Sequence, residues 1–183
     1  MNPISYVLDP EGTILSVEGG WNDFAIANNS SCLSNSIIDK SIYSFFSVDQ
    51  VKSLYKKVFS SVLFKKRPLE IKFRCDSDKV LRFMSMTIEP KGERDLRVTT
   101  YLVREVDRKQ ILGREILYMA LMDNYQKMCS HCNKIYIATK DRWMEIDDAL
   151  FLGLIKKDLD VRFDLCEACN TGMNSLIHDY ERS

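Results

Sequence analysis

An α+β fold is what this sequence predicts, and three observations carry the prediction. Two short apolar runs lie within residues 3–17 around a Pro-Gly turn, hydrophobicity switches from helical to alternating period after Pro68, and four late cysteines stand in two tight pairs. The first two observations give two strands, helices and then three strands that form a meander, and the third gives a small module built on metal. The chain accordingly divides into a sheet-and-helix domain over 1–104, a connector helix over 105–128 and a zinc-binding domain over 129–183.

Ile4–Leu8 and Thr13–Val17 read as strands joined by Asp9-Pro10-Glu11-Gly12, whose Pro and Gly suit a tight turn. Trp21–Ala25 reads as a short helical stretch, and the polar segment Asn28–Ser36 lacks any period and reads as loop. After Ser47, where Ser47 or Asp49 offers a cap, Val51, Leu54, Tyr55, Val58, Phe59, Val62 and Leu63 recur at helical spacing to about Phe64. Beyond Pro68, Leu69, Ile71, Phe73 and Cys75 alternate with Glu70, Lys72 and Arg74, so one strand face is apolar and the other solvated. Val80–Ile88 and Leu96–Val103 complete a meander, with turns at Asp76-Ser77-Asp78 and Pro90-Lys91-Gly92-Glu93.

Glu105 to about Gln126 reads as a helix whose apolar residues spread too widely for one narrow stripe. Such a helix needs cover on more than one side. Packing on its own sheet supplies that cover, and so does a partner helix in a homodimer; both readings stand.

Cys129-Ser130-His131-Cys132 and Cys166-Glu167-Ala168-Cys169 carry the strongest chemistry. Two residues between cysteines let both sulfurs reach one ion from a tight turn, and two such pairs close a tetrahedron with no open position. A closed site is structural, so one structural zinc per chain is expected, held by Cys129, Cys132, Cys166 and Cys169. The 33 intervening residues exceed a compact ribbon and are expected to fold. They read as a strand at Ile135–Ile137, a helix around Trp143–Ile155 and a strand at Val161–Leu165. The second pair then opens a helix from about Glu167 to Tyr180, a treble-clef-like arrangement, and a helix start favours thiolate. His131, inside the first pair, is an alternative ligand in place of a cysteine but reads first as exposed turn, and His178 as a surface or packing residue.

With 26 basic and 26 acidic residues in 183, nothing global attracts a polyanion or a membrane surface. From Cys129 onward seven Lys/Arg face ten Asp/Glu, a net of −3, which weighs against nucleic acid as a partner. Lys65-Lys66-Arg67 is a notable basic run and reads as a solvated turn before Pro68. Asp9 and Glu11 stand where a secretory signal needs basic residues, and no apolar run reaches membrane-spanning length. A cytoplasmic protein is expected, and in a reducing compartment paired cysteines point to metal before disulfide.

The N-terminal pattern resembles a PAS domain, a resemblance that implies a five-stranded antiparallel sheet flanked by helices. The resemblance lies in the Asp9–Gly12 turn, the Trp21–Ala25 helix start, Ile42–Phe46 before a longer helix, and Phe73-Arg74-Cys75-Asp76-Ser77 followed by Arg82. It covers about residues 3–104. The C-terminal part resembles a cysteine-pair segment found after PAS domains in bacterial signalling proteins, matched here by Cys129–Cys132, Trp143, Glu145 and Cys166–Cys169. That family often has Ser-His-Gly before the last pair, whereas this chain has Arg162-Phe163-Asp164, so no role of that histidine carries over.

The resemblance implies sensing: a PAS pocket encloses a small-molecule ligand, here unknown, and the exit helix passes a change to an output. Both histidines lie in the zinc part, which excludes His-ligated haem in the PAS region. Cys32 lacks the context of a photoreactive flavin site, and Cys75 reads as core. Trp21, Phe24, Phe45, Phe46, Phe59 and Phe73 either line a pocket or fill a core. No paired carboxylates, Ser/His/Asp set or phosphate loop can be argued, and a non-catalytic signalling module acting through a protein partner or self-association is the expected function. The competing reading is a thiol redox switch or oxidoreductase using the paired cysteines.

Overall fold

The computed structural model describes residues 2–21, 36–77, 79–108, 125–155 and 161–183. Nine strands are seen among them: β1 (Ile4–Leu8), β2 (Ile14–Gly19), β3 (Leu69–Arg74), β4 (Val80–Lys91), β5 (Asp95–Asp107), β6 (Gln126–Cys129), β7 (Ile135–Ile137), β8 (Arg142–Met144) and β9 (Val161–Asp164). Three α-helices accompany them: α1 (Asp49–Lys65), α2 (Ile146–Phe151) and α3 (Glu167–Arg182). The chain forms two compact units, one of Met1–Lys72, Met84–Val103 and Met173–Ser183, the other of Phe73–Phe83 and Arg104–Gly172.

Strands β1 to β5 form the expected five-stranded antiparallel sheet, in the order β2-β1-β5-β4-β3. The opening turn is closed by the Gly12 N–H donating to the Asp9 carbonyl and the Thr13 N–H donating to Asp9 Oδ1. Gly12 sits at φ 86°, and a Cβ there would lie 2.5 Å from the Tyr43 ring, so both backbone and space require glycine. Strand β1 pairs on one side with β2 and on the other with β5, where Tyr6 faces Val98. Four of its five residues are buried, and since successive side chains point to opposite faces, both faces of this strand are covered.

Helix α1 buries Leu54, Tyr55, Val58, Phe59 and Val62, the stripe its period predicts. Its start differs from expectation. Val48 occupies the N-cap with no side-chain bond, and Asp49 pairs instead with Lys52 at 3.1 Å inside the first turn. The helix ends where Lys66 turns left-handed at φ 54°.

The basic run that follows is not simply solvated. The Arg67 guanidinium lies 4.6 Å over the Tyr180 ring and donates to the Tyr180 carbonyl, while the Tyr180 hydroxyl donates back to the Arg67 carbonyl at 2.6 Å. Ser61 Oγ donates to Glu181 at 2.6 Å, so the last turns of α3 are held in the first unit together with buried Met173 and Ile177. Aromatic residues of this unit mostly fill its core: Phe59 is buried, and Phe46 stacks on Tyr55 at 5.0 Å. Phe45, 51% exposed, and Phe64, 84% exposed, do not fill the core. Phe24 and Cys32 lie outside the described residues.

Strand β3 alternates as predicted through Lys72 and then stops alternating, since Phe73 and Arg74 are both half-buried. Charged partners meet Arg74 from the second unit's own segments, and Cys75 lies beyond the strand, half-buried, with its thiol pKa raised by desolvation. Both later strands outrun their predicted ends. Strand β4 continues through Pro90 and Lys91, and β5 through Asp107. Glu105–Asp107 are therefore strand, and Gln126 is strand in β6; the rest of the expected connector helix, 109–124, lies outside the described residues.

In the second unit four short strands form a sheet in the order β8-β7-β6-β9. Strand β7 matches its predicted bounds, and β8 follows it as an antiparallel partner, with Tyr136 opposite Trp143. Residues 142–144 are thus strand, where a helix was expected. Asp141 at φ 49° reverses the chain, and the helix begins only at Ile146. The unit has its own apolar core of Met128, Ile135, Ile137, Met144, Ile146, Ala149 and Val161.

Candidate metal centre

The four predicted cysteines converge within the second unit. Their sulfurs all lie within 4.8 Å of one another, with Cys129 and Cys166 buried and Cys132 and Cys169 half-buried. Two structural devices bring them there.

The first pair sits on a tight turn after β6. The Cys129 N–H donates to the Lys134 carbonyl at 2.8 Å, and the Asn133 N–H donates to the Cys129 carbonyl at 2.9 Å. Asn133 takes the left-handed conformation at φ 56° that closes such a turn, one that Asn tolerates better than most residues. The second pair straddles the start of α3. The Asn170 N–H donates to the Cys166 carbonyl at 2.9 Å, which makes Cys166 the N-cap, and its Sγ accepts from the Cys169 N–H at 3.4 Å. A thiol does there what a Ser or Asp side chain does in an ordinary cap.

Parallel pairing of β6 with β9 joins the two devices. Cys129 stands opposite Asp164 in that register, and Ser130 N–H donates to the Asp164 carbonyl at 2.9 Å. The Cys166 N–H then reaches Cys129 Sγ at 3.5 Å, so one sulfur of each pair accepts a backbone N–H. Lys127 adds a 3.1 Å ion pair to Asp164.

Electrostatics of the cluster favour one thiolate and resist more. Cys129 falls well below the ordinary thiol range because Cys132 and Cys169 direct hydrogen bonds at its sulfur, with the Cys166 N–H adding a further donor. Cys132 is pushed up to about 12 by its bond to Cys129, and Cys169 is likewise raised by its bonds to Cys129 and Cys132. A divalent cation reverses that resistance, because coordinated thiols deprotonate outright.

The spacing of the sulfurs fits a metal. Cys132 Sγ and Cys166 Sγ are 3.9 Å apart, whereas tetrahedral thiolates at zinc–sulfur distance stand about 3.8 Å apart and a disulfide closes to about 2.05 Å. The four sulfurs, all within 4.8 Å of one another, are close enough to share one ion. All five described cysteines are free thiols.

Around the cluster, Trp143 packs on Tyr136 at 5.5 Å and donates its indole N–H to Glu167 at 2.9 Å. Glu145 accepts from Arg74 at 3.3 Å. These contacts give Trp143 and Glu145, singled out by resemblance alone, a physical place beside the second cysteine pair and the first turn of α2. His131 is half-buried rather than plain exposed turn, and its carbonyl accepts the Arg74 N–H at 2.9 Å; His178 is exposed. In the first unit an open groove of mixed polarity has Asn2, Pro3, Ser5, Glu18, Arg97 and Thr99 in its lining, residues for which the sequence suggested no binding role.

No family model matches this chain, and no curated protein does. Among solved structures it is similar to the PAS domain of the RpfR quorum-sensing receptor of Cronobacter turicensis, in complexes with C12:0 and with BDSF. Each match has 12% identity, a TM-score of 0.44, and covers 57% of this chain and 96% of that one. A domain of an HTR-like protein from Haloarcula marismortui is similar at 11% identity and a TM-score of 0.39, covering 56% of this chain and 98% of that one. Among the described residues no helix is long and apolar enough to cross a membrane.

Proposed function

We propose that this is a non-catalytic sensory or signalling protein in which a PAS-like domain is coupled to a structural zinc module for protein interaction. The observation that carries the zinc assignment is the gathering of four cysteine sulfurs within 4.8 Å, two of them fully enclosed. Cys129, Cys132, Cys166 and Cys169 hold the ion, which supplies cross-linking between a turn and a helix start rather than reactivity. The sensory half of the reading rests on the five-stranded antiparallel sheet together with the PAS resemblance of residues 3–104. A small-molecule ligand in that domain, and a protein partner or second copy as output, belong to the same reading.

Native mass spectrometry of the freshly purified protein tests all of it in one measurement. About one zinc per chain is expected, the count for a single four-thiolate site, together with a dimer, a retained partner or a retained small molecule. A metal-free chain whose thiols react with disulfide reagents at once would instead establish the redox reading. A zinc-loaded monomer with neither ligand nor partner would leave the module standing and remove the sensory assignment.

A further inference from the structure

Among the buried charges of the second unit are two arginines that the metal centre does not use. The Arg108 side chain is 1% exposed and that of Asp76 4%. Arg108 Nη1 donates to Asp147 Oδ1 at 3.1 Å, Nη2 to Asp76 Oδ2 at 3.4 Å, and Nε to the Ser77 carbonyl at 2.7 Å. Arg74 Nε donates to Asp76 Oδ1 at 2.8 Å, its Nη2 closes a bidentate clasp on the same carboxylate, and its Nη1 reaches Glu145 Oε2 at 3.3 Å. Main-chain bonds complete the set: the Arg108 N–H donates to the Lys79 carbonyl at 2.8 Å, and the Arg74 N–H to the His131 carbonyl at 2.9 Å.

That last acceptor lies between Cys129 and Cys132, on the turn that presents their sulfurs. Glu145 and Asp147 flank the start of α2, whose Ile146 and Ala149 belong to the module's apolar core. Every carboxylate and carbonyl that satisfies Arg74 and Arg108 thus comes either from residues 76–79 or from the cysteine module. A guanidinium does not lose its charge at any ordinary pH, so burying one without partners is strongly unfavourable. The set therefore forms or loosens as a whole.

We infer that this ion-pair network is a conformational latch coupling the state of the four-cysteine site to residues 73–83 and 104–108. Resting on the zinc reading above, it makes those segments part of what the metal orders. Loss of metal frees the turn, withdraws the His131 carbonyl from Arg74, and shifts Glu145 and Asp147 from their guanidinium partners. Strands β3, β4 and β5 run through these segments in sequence, so the latch is where the metal's state reaches them.

Amide hydrogen exchange on the full chain, with zinc and after chelation, tests the latch without any substitution. Chelation is expected to lower protection about fivefold or more, the lower range of ordinary site coupling, at residues 73–83 and 104–108 as well as at 126–137. Protection of residues 54–62 of α1 should not change. Loosening confined to 126–172 overturns the latch and leaves the zinc site intact. Loosening that also reaches 54–62 means global unfolding and overturns it as well. A chain that never holds metal removes both readings at once. By reciprocity, Glu145→Gln and Arg108→Met should weaken zinc affinity, read by equilibrium competition with a chelator, by a similar factor. Lys52→Gln should not, because the Lys52 side chain pairs with Asp49 on α1 and touches none of these groups. Equal zinc affinities in all three variants and the parent protein would contradict the coupling.

Discussion

The first unit buries Leu8, Val58, Val62, Ile88 and Val98 completely, from strands and helix alike, whereas the second gathers seven buried apolar residues in its core. What the second unit adds is four sulfurs and a set of buried ion pairs. A small module hides too little apolar surface to offset its chain entropy, so it is held by staples where a larger one is held by its core. The contrast also separates two kinds of vulnerability. One unit fails when volume is removed from it, and the other when a ligand atom is.

Cys166→Ser should have the largest effect, since metal binding contributes about 10–16 kcal/mol to folding in small zinc modules. Metal content should fall to zero and limited proteolysis should cut within 126–172 while the sheet's circular dichroism survives; a variant with full zinc would erase the contrast. Next comes Leu8→Ala, at a fully buried position, expected to cost about 2–5 kcal/mol in urea unfolding. Zinc content should hold, and its loss would show that the sheet supports the cysteine site. Tyr180→Phe removes one hydrogen bond to the Arg67 carbonyl and should cost about 1 kcal/mol, read from the urea midpoint with unchanged slope.

The smallest effect concerns acid. Ser85 donates to Glu70 and lowers its pKa, with Tyr101 helping. A folded-state pKa below the unfolded one contributes stability above the unfolded value and loses it as pH falls through the folded value. Ser85→Ala should raise the Glu70 pKa toward the ordinary carboxylate value in an NMR titration and flatten the acid limb of the stability curve; an unmoved titration would detach Ser85 from it.

Local patterns in the sequence translate well into this structure. The period of α1, the alternation of β3 up to Lys72, the span of β7 and the two cysteine pairs each depend on residues a few positions apart. Failures of sequence reasoning sit where distant partners decide. Strand β6 has only Gln126-Lys127-Met128-Cys129 to mark it and exists because β9 lies beside it. Residues 142–144 lie in a strand because Asp141 folds them back onto β7, which overrides their helical reading. The charge network was illegible for the same reason: its side chains meet across separations of 32, 39 and 71 residues. Arg74 itself reads in the sequence as one more charged residue of a solvated strand face, beside Glu70 and Lys72.

Parallel pairing of β6 with β9 has a consequence in time. The first cysteine pair closes through a turn of a few residues, but the second comes within reach only after the chain from β7 through β9 has been laid down beside β6. Short-range contacts form early and long-range strand pairing late. On the proposed zinc reading, an ion captured during synthesis meets two thiolates first and waits for the other two, and a competing soft metal has its best opportunity during that wait.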